Sequence, residues 1–184
     1  MLIATWNVNS LRVRLPHLKD WLAPNPVDVI VLQETKLPDP DFPREEIDGL
    51  GYQVAFSGQR TYNGVAILSR APLDDVVAGI PCFEDEHKRV LAATVAGVRV
   101  IGVYVPNGQT VGSEKYEYKL RWFAALREYV AVELTRHPNL VVLGDYNVAP
   151  EDRDVHDPKA WEGSVHVSEP ERAALRALLA TGLE

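Results

Sequence analysis

Four apolar stretches of this 184-residue chain end in side chains able to do chemistry. Leu2–Trp6 leads into Asn7 and Asn9, and Asp28–Leu32 leads into Gln33 and Glu34. Val98–Val105 carries Tyr104 and is followed by Asn107; Leu140–Leu143 leads into Asp145 and Asn147. Short apolar runs bounded by turn residues read as strands. Polar groups on loops leaving a rigid sheet are well placed to form a site. If these strands run the same way in paired sheets, their ends converge at one rim. Glu34 and Asp145 then offer anionic oxygen, and Asn7 and Asn147 amide oxygen. Such an oxygen-only set selects Mg²⁺, Mn²⁺ or Ca²⁺. A Mg²⁺ held by few carboxylates keeps positions open for phosphate oxygens, and it can offset charge on a phosphate under attack or orient a water.

Each residue also has a plainer use. An Asp after Gly, as in Gly144-Asp145, commonly forms a turn. Glu34 would serve as a cap or a surface ion pair, Asn7 and Asn9 as partners of loop backbone, and Tyr104 as a core aromatic. The recurrence at four strand ends is what favours a metal-dependent phosphate site.

The elements that must carry these ends are readable. Gln53–Phe56, Val65–Leu68 and a hairpin of Val90–Val95 with Val98–Val105 add strands, the hairpin turning at Ala96-Gly97. Leu11, Leu15, Leu18 and Leu22 share one side of a helix containing Pro16. Leu120, Phe123, Leu126, Val130 and Leu134 recur at helical spacing over Glu114–Arg136, with Ser113 as N-cap. Ser168 and Glu171 form a capping box for a last helix that Gly182 stops. Mixed strands and helices with a hairpin predict an α/β protein, layers of helix over packed sheets, in one domain over residues 1–184.

Composition narrows the classes. With 19 Lys+Arg against 26 Asp+Glu, the net charge is −7, so the chain as a whole has no basic footprint for nucleic acid. The single cysteine, Cys82, excludes an intrachain disulfide and a Cys-rich zinc site, and it fits a reducing, cytoplasmic setting. No apolar run approaches the ~20 residues that span a bilayer, and Leu2–Trp6 follows Met1 without a basic leader. His17, His87, His137, His156 and His166 show no partner pattern and are expected on the surface or in loops.

TWNVNSLR, VLQETK, NGVAILSR, GVYVPNG and GDYNVAP occur in the order found in exodeoxyribonuclease III and related abasic-site endonucleases of the endonuclease/exonuclease/phosphatase superfamily, which the whole chain resembles. NSLR, the Lys115, Tyr116, Lys119, Trp122 stretch and DRDVHDP point to the exodeoxyribonuclease III branch. The resemblance implies a four-layer α/β/β/α sandwich of two mixed sheets with helices outside. It also implies Mg²⁺-dependent hydrolysis of a DNA phosphodiester (Mn²⁺ as substitute), 5′ to an abasic site or stepwise from a 3′ end, in base excision repair. Glu34 matches the principal metal ligand, with Asn7 orienting metal and phosphate. Asp145 matches the carboxylate that aligns or deprotonates the attacking water, Asn147 the amide that binds phosphate, and Tyr104 a phosphate-contacting tyrosine. Arg89, Lys115 and Lys119 match basic positions near the family's DNA face. The implied partner is double-stranded DNA with abasic sites or 3′ ends, with no membrane and no obligate protein partner.

The family's late Asp, its Asp-His pair and its tryptophan-bearing DNA loop have no counterpart before Glu184. The resemblance therefore implies a C-terminally incomplete member, weakly active alone and prone to self-association through uncovered sheet. The competing readings are another phosphoesterase of the superfamily, acting on inositol phosphates or sphingomyelin, and a DNA-binding module without catalysis.

Overall fold

The computed structural model describes residues 1–183. They divide into two compact units, one formed by Met1–Tyr104 with Asn139–Asp145, the other by Val105–Pro138 with the chain from Tyr146 onward.

The first unit holds both sheets. In one, β1 (Ile3–Asn7), β2 (Val29–Gln33), β4 (Val65–Ser69) and β3 (Gln53–Ser57) lie in the order β1-β2-β4-β3. In the other the order is β5-β6-β7-β8, from Asp74–Ala78, Val90–Val95, Val98–Tyr104 and Leu140–Asp145. Both are mixed: β1 pairs with β2 and β7 with β8 in parallel, and the remaining pairs are antiparallel. Parallel neighbours need a crossover. α1 (Leu11–Leu22) supplies the first, and α3 (Glu114–Arg136) lies between β7 and β8 in the chain. Two mixed sheets with helices place the protein in the α/β sandwich class expected of it.

Period-2 alternation splits the core in two. Ile30, Leu32, Ala66 and Leu68 face Leu11, Leu15, Leu18 and Leu22 of α1. Each such leucine contributes about 2 kcal/mol through apolar surface removed from water. Val29, Val31, Val65 and Ile67 face Leu91, Ala93, Val95 and Val100 of the other sheet. A Cβ on Gly102 would lie 2.5 Å from Val31 Cγ1, so the sheets approach too closely there for any side chain. The β6–β7 turn at Ala96 and Gly97 has φ of 47° and 80°, the doubly positive geometry that matches strand twist in a two-residue hairpin.

The second unit contains α3, α4 (Pro158–Trp161) and α5 (Glu169–Leu179). Ser113 Oγ caps α3 by accepting from the Tyr116 N–H at 3.2 Å. Ser168 starts α5, its N–H donating to Glu171 Oε2 at 3.3 Å. α3 and α5 pack on each other. The buried face of α3 is Tyr116, Lys119, Trp122, Phe123, Leu126, Tyr129, Val130 and Glu133, whereas Leu120 and Leu134 of the expected stripe are only half-buried.

The strands run further than their apolar cores. Asn7, Gln33 and Asp145 are the last residues of β1, β2 and β8, not loop residues. β5 and the short helix α2 (Arg44–Asp48) have no counterpart in the sequence reading. β5 is a mostly exposed strand opening with Asp74 and Asp75, at the edge of its sheet.

Candidate active site

The same alternation that builds the inter-sheet core delivers the polar ends. In β7 the inward series is Val98, Val100, Gly102 and Tyr104; in β8 it is Val141, Leu143 and Asp145. In β1 the series from Ile3 ends at Asn7, and in β2 the series Val29, Val31 ends at Gln33. Register places Asn7 opposite Gln33 and Tyr104 opposite Asp145. Four inward side chains therefore emerge at the end of the layer between the sheets. Gln33, buried there, donates from Nε2 to Thr5 Oγ1 at 2.9 Å and holds the floor.

Gly144 makes the last step of β8 possible. Its φ is 149°, and a Cβ would lie 1.9 Å from the Val103 carbonyl oxygen.

Glu34 leaves β2 through a left-handed turn with φ of 55°, followed by Lys36 at 54°. Such conformations cost a non-glycine residue about 1–2 kcal/mol and persist only where the surroundings impose them. Here the backbone is held from both sides. The Glu34 and Thr35 carbonyls accept from the Ser10 and Leu11 N–H groups at 2.7 and 3.0 Å. The Thr35 and Lys36 N–H groups donate to Gly64 and Asn63 at 3.2 and 3.0 Å. The turn redirects Glu34 so that its Oε1 accepts from Asn7 Nδ2 at 2.8 Å, while Asp145 Oδ2 accepts from the same nitrogen at 2.8 Å. Asn7 Oδ1 accepts from the Asn9 N–H at 3.0 Å, Asn9 Oδ1 accepts from Lys36 Nζ, and Lys36 pairs with Glu34 Oε2 at 2.9 Å. Asn7, Glu34, Lys36 and Asn9 thus form a closed circuit. Lys36 is the member that sequence reasoning missed; its signal was a cation two residues after the candidate carboxylate.

Burial alone would push the Glu34 carboxyl up. Hydrogen bonds from Asn7, Lys36 and Tyr104, with the Lys36 charge, outweigh it and hold the carboxyl below its usual range. Tyr104 moves the other way. Burial, then the charge and hydrogen bond of Glu34 and the charge of Asp145, push its hydroxyl up to about 12 against the pull of Arg89. It stays a neutral phenol, a donor at any physiological pH. Arg89 lies over the Tyr104 ring at 4.7 Å and donates to the Tyr104 carbonyl at 3.2 Å, while its buried Nε finds no acceptor among the described residues. The guanidinium is thus engaged with Tyr104, not displayed as a free surface charge.

The donor chemistry fits a hard divalent cation. Glu34 and Asp145 are carboxylates drawn to one point by the Asn7 NH₂ group, while the Asn7 amide oxygen accepts from the Asn9 N–H. Among the described residues no group of three or more His, Cys, Asp or Glu could hold a metal. Two carboxylates suit Mg²⁺, which dehydrates reluctantly and is usually bound through one or two carboxylates plus water and phosphate; they do not suit a closed zinc site.

The second unit carries the remaining candidates. Asn147, at φ 48°, donates from Nδ2 to the Val105 carbonyl at 2.9 Å. Lys115 is exposed on the first turn of α3. Lys119 corrects the expectation of a phosphate contact. Its side chain is 0% exposed, and Nζ donates to the Asn107 and Asn147 carbonyls at 3.1 and 2.6 Å and pairs with Glu171. An ammonium enclosed in this way cannot reach DNA. His166 also departs from a plain loop histidine, since its Nε2 lies 2.9 Å from Asn107 Nδ2 and its ring stacks on Trp161.

Residues 4–176 match the endonuclease/exonuclease/phosphatase family. The exodeoxyribonuclease III of Haemophilus influenzae is 32% identical over 196 residues, spanning 100% of this chain and 73% of that protein. A 3′-phosphatase from Neisseria, solved with a product DNA hairpin, is 51% identical with a TM-score of 0.97, covering 99% of this chain and 71% of that one. An AP endonuclease from Archaeoglobus fulgidus is 41% identical with a TM-score of 0.95, at 99% and 71% coverage.

Proposed function

Because the chain belongs to the endonuclease/exonuclease/phosphatase family, and its relatives are exodeoxyribonucleases and AP endonucleases, we propose that it is a Mg²⁺-dependent hydrolase of DNA phosphoesters serving base excision repair, with Mn²⁺ as a substitute. The substrates are 3′ ends and abasic sites in duplex DNA. Removal of a 3′ phosphate, removal of a 3′ nucleotide and incision 5′ to an abasic site all break a P–O3′ bond, so one site serves all three. The 51% identity to a 3′-phosphatase, against 41% to an AP endonuclease, supports 3′-end processing as the principal activity.

Glu34 and Asp145, oriented by Asn7, would hold the cation, which supplies positive charge to offset that of the phosphate. Asp145 accepts the proton as water oxygen bonds to phosphorus and the P–O3′ electron pair leaves with O3′. Tyr104, neutral because its hydroxyl is pushed up to about 12, donates a hydrogen bond to a phosphate oxygen. Asn147 does the same without adding negative charge. Lys115, exposed on α3, would meet the DNA backbone charge, a contribution to affinity rather than to sequence choice, whereas Arg89 acts through Tyr104.

The reading is carried by the shared hydrogen bond: Glu34 and Asp145 both accept from Asn7 Nδ2 at 2.8 Å. Its test is hydrolysis of duplexes bearing a 3′ phosphate, a recessed 3′ end or an abasic-site analogue, with Mg²⁺ and with chelator. Product that requires Mg²⁺ and disappears in Glu34→Gln supports the proposal. Cleavage that persists in both chelator and Glu34→Gln refutes it.

A further inference from the structure

The buried Lys119–Glu171 pair sits where its charge has no direct chemical use. Both side chains are 0% exposed. Filling that volume with apolar side chains is often as stabilising as a buried ion pair, so its value is sought in direction. An ammonium has three donors. One meets Glu171, and the other two meet the main-chain carbonyls of Asn107 and Asn147. Glu171 extends the brace, with Oε2 accepting from the N–H groups of His166 and Ser168 at 2.8 and 3.3 Å. The His166 carbonyl then accepts from the Ala149 N–H at 2.8 Å, and the Ala149 carbonyl accepts from Arg172 Nε at 3.0 Å. The brace therefore returns to the loop that carries Asn147.

Asn147 needs such a brace. Its φ of 48° is a conformation held by surroundings. It is gripped at two points, its carbonyl by Lys119 at 2.6 Å and its amide nitrogen by the Val105 carbonyl at 2.9 Å.

We infer that Lys119, locked by Glu171, is the positioning residue that sets the backbone and side-chain direction of Asn147. It acts from the buried face of α3, with its ammonium enclosed. The inference rests on the proposed role of Asn147 as a phosphate donor, and it assigns Lys119 no contact with substrate.

Two readouts on the full chain test it. The first is the ¹⁵N–¹H side-chain amide pair of Asn147, assigned by its loss in Asn147→Ala. Lys119→Met should displace that pair while the melting transition stays cooperative; an unmoved pair overturns the inference. If Lys119→Met does not fold, Glu171→Gln takes its place with the same two outcomes, since it keeps the volume and one oxygen acceptor. The second is the affinity for a duplex ending in a 3′ phosphorothioate, in Mg²⁺, by fluorescence anisotropy. Asn147→Ala and Lys119→Met should each weaken binding about tenfold, and the double variant should lose no more than the weaker single. Losses that multiply overturn the inference. If Asn147→Ala binds as the parent does, the phosphate role of Asn147 fails, and the amide signal alone still decides whether Lys119 positions it.

Discussion

Asn7 and Asp145, 138 positions apart in the chain, meet at 2.8 Å, and the nitrogen of Asn7 that joins them also serves Glu34. Two carboxylates this close repel each other in a half-buried site. The Asn7 NH₂ group between them is a donor shared by both, and it holds their spacing before any cation arrives. That relationship follows from two parallel strand pairs whose inward series end together at Asn7 and Asp145.

Removing the shared donor should loosen the cation site without abolishing it. Asn7→Ala is expected to weaken Mg²⁺ or Mn²⁺ binding about 10- to 100-fold, the range found when groups that orient ligands are lost. Glu34→Gln removes an anionic ligand and should cost more, with hydrolysis reduced by at least about 10²-fold. Manganese paramagnetic titration reads the binding independently of turnover. Equal affinity in Asn7→Ala and the parent would show that the two carboxylates are spaced by something else.

Gly144 supplies a sharper structural test. Any Cβ there would overlap the Val103 carbonyl oxygen at 1.9 Å, on the strand partner that pairs with it. Gly144→Ala must therefore shift β8 or break its pairing with β7, one residue before Asp145. The expected cost is about 3 kcal/mol or more in urea unfolding, the level reached by strain at special backbone positions. A Gly144→Ala protein with the parent's urea midpoint would contradict the close approach.

Much of this framework was legible in the chain. Leu11–Leu22 and Glu114–Arg136 form helices over the spans their apolar spacing predicts, because periodicity over 12 and 23 residues outweighs a single Pro16. β1, β2 and β8 were ended one or two residues early, since Asn7, Gln33 and Asp145 are polar and propensity assigns such residues to loops. Convergence of Asn7, Glu34, Tyr104 and Asp145 could be expected from their recurrence at strand ends. The direction of Glu34 could not, because it depends on a left-handed turn that only the Ser10, Leu11, Asn63 and Gly64 backbone enforces. Lys119 and Glu133 occupy the buried face of α3, where a hydrophobic stripe has no way to register them. β5 was hidden by Asp74 and Asp75, acceptable on an exposed edge and uncharacteristic of a core strand.

The titrating groups predict opposite limbs of a stability profile. Tyr104 and Tyr146 are pushed up to about 12, Tyr146 by burial alone. A folded state that holds its protons more tightly keeps their contribution whole below the ordinary tyrosine value of about 10 and loses it as pH rises towards 12. Glu34 is held below its ordinary value of 4.5, so its contribution is present above that pH and drains as pH falls through the folded value. Melting temperatures across pH should show Tyr146→Phe flattening the alkaline limb and Glu34→Gln flattening the acid limb. Absorbance at 295 nm should leave Tyr104 and Tyr146 untitrated until about pH 12 or unfolding, their signals identified by loss in the Phe variants. A profile in which Tyr104 and Tyr146 titrate near 10 would contradict the raised phenols.

The buried Lys119–Glu171 pair makes the last prediction. Cutting one partner leaves the other charged and enclosed, which costs about 3–5 kcal/mol, so Lys119→Met should lower the urea unfolding free energy by that order. For a simple buried pair, replacing both members with apolar residues would recover most of the loss. Here it should not. Glu171 also accepts from the His166 and Ser168 N–H groups, and Lys119 also serves the Asn107 and Asn147 carbonyls. Lys119→Met with Glu171→Leu leaves these four backbone groups to find new partners, at about 1–3 kcal/mol for each that stays buried and unmet. The double variant should therefore remain several kcal/mol below the parent, close to the single. Full recovery would mean that the pair fills space and braces nothing.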